Sequence, residues 1–153
     1  MHRISIRTAG LDDLETLSDI FRTASLSNEG DRDLLLAHPE HLELGREALV
    51  EERVRVAEVD GMAVGFATTR RAGDAAELED LFVRPEWMRH GMATALIEDV
   101  IERERLAGVA RLEVTANPHA RAFYDRVGFR GDERVETPLG AGTRLHLHVP
   151  PRG

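Results

Sequence analysis

The sequence of 153 residues contains no cysteine and no lysine, and all 20 of its basic residues are arginine. Without cysteine there is no disulfide framework, no thiolate metal site and no thiol that could carry an acyl group. Without lysine there is neither a Schiff base nor a P-loop lysine, which argues against a nucleotide hydrolase. A Gly-x-Ser-x-Gly elbow is also missing. We therefore expect any group transfer to proceed without a covalent intermediate on a side chain.

Long apolar segments are missing as well. No stretch approaches the roughly 18 apolar residues of a membrane span, and the N-terminal segment lacks the apolar core of a signal peptide. The length suits one domain, and neither a repeat nor a linker interrupts the sequence. We expect a single domain over residues 1–153, no membrane partner and a cytoplasmic location.

The charge of the chain is predominantly negative, with a formal net charge of -8. This balance disfavours nucleic acid as a partner, because nucleic-acid-binding surfaces are basic. The surplus of acidic residues would attract a cationic small molecule or peptide, although solubility alone accounts for many acidic proteins. Composition leaves both interpretations open.

Hydrophobic periodicity and turn residues predict the element order β α α β β β α β α β β. A short strand at residues 4–6 opens the chain, and Asp12 or Asp13 caps the helix that follows. A second helix is predicted over residues 39–52, and Asp60-Gly61 joins two strands in a tight hairpin. The later elements are strands at 76–83, 110–115, 133–137 and 143–149, a long helix at 91–105, and a short helix at 117–124.

The strand–helix–strand unit from Glu77 to Thr115 predicts a parallel strand pair, because a crossover helix returns the chain to the same end of the sheet. The last two strands are expected to form a hairpin around Gly140–Gly142. These elements predict an α+β domain of three layers with a mixed sheet.

Gly91 lies where the predicted long helix begins, and two interpretations of it compete. It eases a tight loop, or it lets the main chain approach a bound anion. A helix N-terminus exposes unpaired N–H groups and attracts phosphate, and Arg89 and His90 would add a cation and a second donor. The spacing matches neither the dinucleotide-binding fingerprint nor the P-loop. Glycine before a helix is therefore weak evidence on its own.

Two motifs at a characteristic separation carry a family resemblance. The first is Met88-Arg-His-Gly91-Met-Ala93 together with Val83-Arg-Pro85, and the second is Asn117, Ala120 and Tyr124 followed by Gly128-Phe129. Together they resemble the GNAT superfamily of acyl-CoA N-acyltransferases over nearly the whole chain. The resemblance implies a mostly antiparallel sheet of about six to seven strands, flanked by about four helices, with a splayed parallel pair.

The resemblance also implies acetyl-CoA as cosubstrate, with no metal. The main chain of Leu81, Phe82 and Val83 would bind the pantetheine arm, and the second motif would reach it through Asn117, Ala120, Phe123 and Tyr124. The loop expected to hold the diphosphate consists of Met88, Arg89, His90, Gly91, Met92, Ala93 and Thr94. Met88 departs from the family's usual glutamine or arginine, which would weaken cofactor affinity modestly unless Arg89 compensates.

A general base is needed because a lysine-like amine has a pKa of about 10.4 and attacks only in its neutral form. Glu77 and Glu79 lie on one face of their strand, two residues apart. Burial of Glu77 next to Glu79 would raise the pKa of one carboxyl towards neutrality. We expect Glu77 to be the base and Glu79 the second choice, either directly or through a water, while a solvated strand face remains the alternative.

Tyr124 matches the family tyrosine that donates towards the CoA sulfur. A tyrosine pKa of about 10 exceeds a thiol's roughly 8.5, so full proton transfer to the thiolate is uphill by about 2 kcal/mol. Hydrogen bonding to the developing thiolate is therefore expected to matter at least as much as proton delivery. The alternative role is packing of the ring on Phe129.

The histidines are not expected to take part in catalysis or metal binding. His146 and His148 share one face of the last strand, but no third zinc ligand is evident. His38 and His41 are predicted on a solvated helix face. The resemblance implies an acceptor pocket built by residues 21–48 and 133–145, where a polar loop contains Asn28, Glu29, Asp31 and Asp33.

The activity implied by the resemblance is direct transfer of an acetyl group from acetyl-CoA to a primary amine of a small molecule or peptide. The alternative is a catalytically silent acyl-CoA-binding sensor or scaffold module. Glu77 and Tyr124 favour the enzyme, and a homodimer is left open.

Overall fold

The computed structural model describes residues 3–26, 45–137 and 140–151. In these ranges it contains four helices: α1 (Leu14–Leu26), α2 (Arg46–Val50), α3 (Met92–Leu106) and α4 (Arg121–Arg126). Its seven strands are β1 (Ile4–Thr8), β2 (Val54–Val59), β3 (Met62–Ala72), β4 (Ala75–Val83), β5 (Arg111–Ala116), β6 (Arg130–Thr137) and β7 (Gly140–His148). None of the helices in the described ranges has the length and apolarity that a membrane-spanning helix requires.

The seven strands form one mixed sheet in the order β1-β2-β3-β4-β5-β7-β6. The β1–β2, β2–β3, β5–β7 and β6–β7 pairs are antiparallel, and β4 pairs with β5 in parallel. The parallel pair follows from the crossover through α3, because strands joined by a helix enter the sheet in the same direction. The predicted α+β fold with its mixed, mostly antiparallel sheet is confirmed.

Contacts within the chain define two compact units, Met1–Thr68 with Asp80–Asp99, and Thr69–Glu79 with Val100–Gly153. In the first, Leu17 and Ile20 of α1 are buried together with Val54, Val56 and Phe66 of the sheet. In the second, the alternate residues Leu112 and Val114 of β5 are buried together with Leu145 of β7 and Phe129. The alternation along β5 explains why one face of this strand is apolar and the other carries polar side chains. A single domain over residues 1–153 remains a prediction.

The predicted hairpin turn is confirmed, whereas the predicted cap at Asp12 or Asp13 differs. Asp60 and Gly61 have φ values of 51° and 84°, the left-handed pair that a tight hairpin between β2 and β3 requires. The residue at the cap position is Gly10, and Asp13 is the last residue of the 3₁₀ turn before α1, where its carboxylate accepts a hydrogen bond of 2.9 Å from the Gly10 N–H. A hydrogen bond from Arg7 lowers the pKa of this carboxyl against the opposing effect of burial.

The last hairpin differs from its prediction, since Gly140–Gly142 do not form the turn. They belong to β7, while β6 ends at Thr137 and the two residues between lie outside the described ranges. A Cβ at Gly142 would come within 3.0 Å of the Thr115 side chain, so this glycine serves close strand packing rather than a turn.

The predicted second helix is described only in part. The structure has a helix at Arg46–Val50, and residues 39–44 lie outside the described ranges. The helix ends before the predicted Glu52, which has a φ of 58°. A left-handed residue cannot continue a right-handed helix, so the chain turns here into β2.

Gly65 in β3 is required by a close approach of two strands. A Cβ at this position would lie 2.8 Å from the main-chain oxygen of Phe82 and 3.2 Å from the Val83 side chain. The backbone oxygen cannot rotate away, so the strands would have to separate.

Gly65→Ala is therefore expected to lower the free energy of unfolding by about 3 kcal/mol, the upper range for an overpacked core position. Urea denaturation measures the loss. The matched control is Gly45→Ala, because a Cβ at Gly45 meets no atom within 4 Å and the residue has a φ of -71°. That control should lose less than about 1 kcal/mol. Equal losses of unfolding free energy in the two variants would contradict the close approach of the strands at Gly65.

Candidate functional site

The segment between β4 and α3 is anchored by Arg84, the first residue after the strand. The Arg84 N–H donates to the Val64 carbonyl at 2.8 Å, and its guanidinium donates to Asp19 of α1 at 2.9 Å. A 3₁₀ turn at Pro85–Trp87 follows, and the Trp87 ring packs edge-on against His90 with centroids 5.4 Å apart. The loop therefore leaves the sheet in a defined direction.

Two left-handed residues precede α3. Arg89 has a φ of 65° and Gly91 a φ of 80°, and α3 begins at Met92. A Cβ at Gly91 would meet no atom within 4 Å, so its backbone conformation and not crowding explains the glycine. Arg89 is a non-glycine residue in the same region, which costs about 1–3 kcal/mol and is typical of functional loops. The sequence did not reveal this strain.

The first turn of α3 suits an anion electrostatically. The Gly91 carbonyl accepts the first helical hydrogen bond, from Ala95 at 3.0 Å, and no acidic residue lies in the first turn. The N–H groups of the residues after Gly91 have no carbonyl four residues earlier within the helix, and the helix dipole is positive at this end. Arg89, His90, Gly91 and Thr94 are exposed, Ala93 is half-buried and Met92 is buried.

The predicted pantetheine segment forms the end of β4. Leu81 and Phe82 are half-buried, and Val83 is buried. The Phe82 ring packs against Phe21 with a centroid distance of 4.8 Å and against Phe66 at 5.8 Å. These side chains serve the core, and any ligand contact of this segment would come from its main chain. Met88, the position that departs from the family pattern, is 42 % exposed.

The second motif lies on α4 and the loop before it. Tyr124 is buried between Phe123 and Phe129, with ring centroids 5.2 and 5.3 Å away, so its packing on Phe129 is observed. The Asn117 side-chain oxygen accepts a hydrogen bond from the Ala120 N–H at 2.9 Å. Because this oxygen caps the turn, the group that Asn117 could offer a ligand is its amide NH₂.

Glu77 lies on β4 opposite Glu113 of β5, and this is the last pair of the recorded parallel register. Arg144 of β7 donates to Glu77 from both terminal nitrogens, with Nη1 at 2.7 Å from Oε2. Its Nη2 is also 3.3 Å from Glu113 Oε2, and its Nη1 donates to Thr115 Oγ1 at 3.0 Å. Hydrogen bonding to Glu77 is the main cause that raises the pKa of Arg144, and burial opposes it.

The carboxylate nearest Glu77 across the sheet is therefore Glu113, not the predicted Glu79. Glu79 forms a separate ion pair with Arg70 at 3.5 Å. Residues two apart on a strand are farther from each other than directly opposed residues, whose Cβ atoms lie about 5 Å apart. Glu113 and Arg144 were missed because the alternation along β5 and β7 showed only that each faces outward. The strand register that brings them to Glu77 was not visible in the sequence.

The histidine pair on β7 lines a shallow pocket of about 230 Å³ together with Arg111 and Glu113. The His146 and His148 rings lie 5.7 Å apart, edge to face. Among the described residues, no group of three or more metal-ligating side chains comes together. His38, His41 and the polar loop residues Asn28, Glu29, Asp31 and Asp33 lie outside the described ranges.

Comparison with known proteins identifies the family. The sequence profile of the acetyltransferase (GNAT) domain matches residues 37–140, more than half of the chain. The chain belongs to the GNAT acetyltransferase family. The resemblance drawn from the two motifs is thus confirmed, and so is the enzyme class, an N-acetyltransferase.

Two relatives and one solved structure illustrate the similarity of this GNAT chain. It is 30% identical over 109 residues to the uncharacterized N-acetyltransferase YafP of Escherichia coli (strain K12), covering 70% of this chain and 67% of that protein. It is 38% identical over 73 residues to the [ribosomal protein bS18]-alanine N-acetyltransferase of the same strain, covering 46% and 49%. The crystal structure of PaiA N-acetyltransferase from Thermoplasma acidophilum in complex with coenzyme A superposes with a TM-score of 0.77, at 19% identity, over 95% of this chain and 99% of that one. The alanine acetyltransferase is thus matched over about half its length, and the likeness to PaiA establishes the fold.

Gly91→Ala should lower the free energy of unfolding by about 1–2 kcal/mol, the cost of holding an L-residue in the left-handed region. Gly91→Asn should lose less, because asparagine adopts this region more readily. Chemical denaturation of the two variants checks the difference. If the alanine and asparagine variants lose the same free energy of unfolding, the left-handed conformation is not the reason for glycine at position 91.

Proposed function

We propose that this GNAT chain transfers an acetyl group from acetyl-CoA to a primary amine of a small molecule or peptide. The observation that carries the proposal is the junction before α3, where two left-handed residues precede a helix whose first turn carries no acidic residue. We further propose a single domain over residues 1–153 and a cytoplasmic location, with neither nucleic acid nor membrane as partner. A homodimer is compatible with this function.

The diphosphate of CoA would bind the main-chain N–H groups of residues 89–94. Support comes from the exposure of Arg89, His90 and Gly91, from the helix dipole and from the cation of Arg89. The pantetheine arm would pair with the main chain of Leu81–Val83. In support, this segment is the end of β4 and leads directly into the loop that precedes α3. Asn117, Ala120, Phe123 and Tyr124 would contribute from the second motif.

The reaction requires a neutral amine. The amine nitrogen attacks the thioester carbonyl, a C–N bond forms, the C–S bond breaks, and the nitrogen releases a proton. Glu77 is the proposed base, and Glu79 the second candidate, either accepting the proton directly or through a water. Both are carboxylates at or near the end of the parallel pairing, and their side chains are exposed to a similar extent, 27% for Glu77 and 30% for Glu79. The two-pronged contact with Arg144, which orients the Glu77 carboxylate, supports Glu77 as the first choice.

The departing thiolate needs a hydrogen-bond donor, and Tyr124 is proposed for this role. Its ring is held by Phe123 and Phe129 on either side, which restricts the direction of the hydroxyl group. Packing and catalysis are compatible here, because packing orients the ring that donates.

The acceptor is proposed no more narrowly than a primary amine. The similarity to the bS18-alanine N-acetyltransferase makes a peptide with an N-terminal alanine a suitable member of a test panel. The panel should also contain small mono- and diamines, amino sugars and amino acids. CoA thiol release with acetyl-CoA and each amine measures turnover. Binding of CoA without thiol release on any amine would favour the alternative, a silent acyl-CoA sensor.

Tyr124→Phe is expected to lower kcat by roughly 10-fold or more and to leave the KM for acetyl-CoA little changed, because the lost hydrogen bond forms to the thiolate that develops in the transition state. The phenyl ring retains the packing on Phe129, so the melting temperature serves as the control for folding. Steady-state kinetics with the best amine of the panel gives both constants. Unchanged turnover would remove Tyr124 from the mechanism.

A further inference from the structure

Arg144 connects three strands through a single guanidinium. It belongs to β7, and its two terminal nitrogens reach Glu113 and Thr115 on β5 and Glu77 on β4. Thr115 is its direct partner in the β5–β7 register, so the side chain crosses β5 to reach β4. The contact with Glu77 is a two-pronged one, in which each terminal nitrogen meets one carboxylate oxygen. Such forked pairs are the most orienting ion pairs that proteins form.

The charges at this point would be unfavourable without Arg144. Glu77 and Glu113 are direct neighbours across the parallel pair, and two carboxylates opposite each other repel. The guanidinium lies between them and neutralises part of this repulsion. The side chains of Glu77, Glu113 and Arg144 are 27%, 30% and 29% exposed, so solvent screens the interaction only in part.

Other charged or titratable side chains surround this group. On β5, Arg111 donates to Glu113 at 3.2 Å. On β7, His146 and His148 are the direct partners of Glu113 and Arg111, and on β6, Glu133 and Arg130 are the partners of Arg144 and His146. On the β4 side, Glu79 pairs with Arg70. Of these groups, Arg144 is the one with recorded hydrogen bonds to Glu77.

We propose that Arg144 is a positioning residue for the acetyl transfer, which fixes the direction of the Glu77 carboxylate at the end of the parallel strand pair. This inference rests on the proposed role of Glu77 as the base. A forked contact holds both oxygens of a carboxylate in one plane, and a catalytic group must be held close to its productive geometry. A misplacement of about 1 Å can lower a rate by about 100-fold. Arg144 should therefore affect turnover rather than the binding of acetyl-CoA.

The test is steady-state kinetics of wild type, Arg144→Gln and Arg144→Lys with acetyl-CoA and the amine. In Arg144→Gln kcat should fall by about 10-fold or more, because Glu77 loses the contact that orients it. Arg144→Lys restores the charge without the fork and should recover only part of the loss. The KM for acetyl-CoA should change little in both variants. A purely structural role would lower the melting temperature and weaken CoA binding together with kcat.

The matched control is Arg105→Gln, which removes an arginine paired with Glu102 at 2.7 Å in the last turn of α3, its side chain 26% exposed against 29% for Arg144. Its kcat should equal that of wild type. Melting temperature and CoA affinity establish that each variant is folded, and Arg144→Lys carries the test if Arg144→Gln does not fold. An unchanged kcat in the folded variants overturns the positioning role.

Glu77→Gln separates this inference from the function on which it rests. Loss of kcat/KM by about 100-fold or more supports Glu77 as the base. Wild-type activity of Glu77→Gln contradicts the base, and Glu79→Gln then tests the second candidate. If Glu77→Gln is inactive while the kcat of Arg144→Gln is unchanged, the base stands and only the role of Arg144 is refuted.

Discussion

β4 pairs with β5 in parallel over three residue pairs, and the last of these pairs contains the candidate base, Glu77. The register runs from Ala75 and Arg111 to Glu77 and Glu113. Parallel pairing at this last step brings two carboxylates side by side, and the antiparallel partner β7 supplies the arginine that binds both. A shift of either register by one residue would turn these side chains to the apolar face. Strand register is therefore the constraint that assembles the cluster.

The exclusive use of arginine fits this construction. Arg55 binds Asp99 through two nitrogens, and Arg71 does the same with the buried Glu104. The pair between Arg144 and Glu77 has the same forked geometry. A guanidinium offers donors in a rigid plane, whereas an ammonium provides a point charge without a preferred orientation. In each unit of the structure, arginine thus contributes an oriented contact as well as charge, whereas lysine would contribute charge alone.

Local features of the fold were predictable because they depend on a few adjacent residues. The hairpin at Asp60-Gly61 and the start of the long helix after Gly91 were of this kind. The last hairpin was placed wrongly because Gly142 reads as a turn residue, whereas its role comes from a β5 neighbour distant in sequence. The same limit applies to the site. The strand pattern indicated Glu77 and the second motif indicated Tyr124, but Arg144 lies 67 residues from Glu77 and only the sheet register relates them.

Glu77 can serve as the proposed base while it is paired with Arg144, because its carboxylate has more acceptor positions than Arg144 uses. An ionised carboxylate offers about four lone-pair positions, two on each oxygen. Arg144 donates once to each oxygen, so each retains a position that can accept from an attacking amine or a bridging water. The forked contact also holds the carboxylate plane, which determines the direction of the remaining positions. An arginine that orients the base without saturating it supports proton transfer, provided that the proton is passed on to solvent.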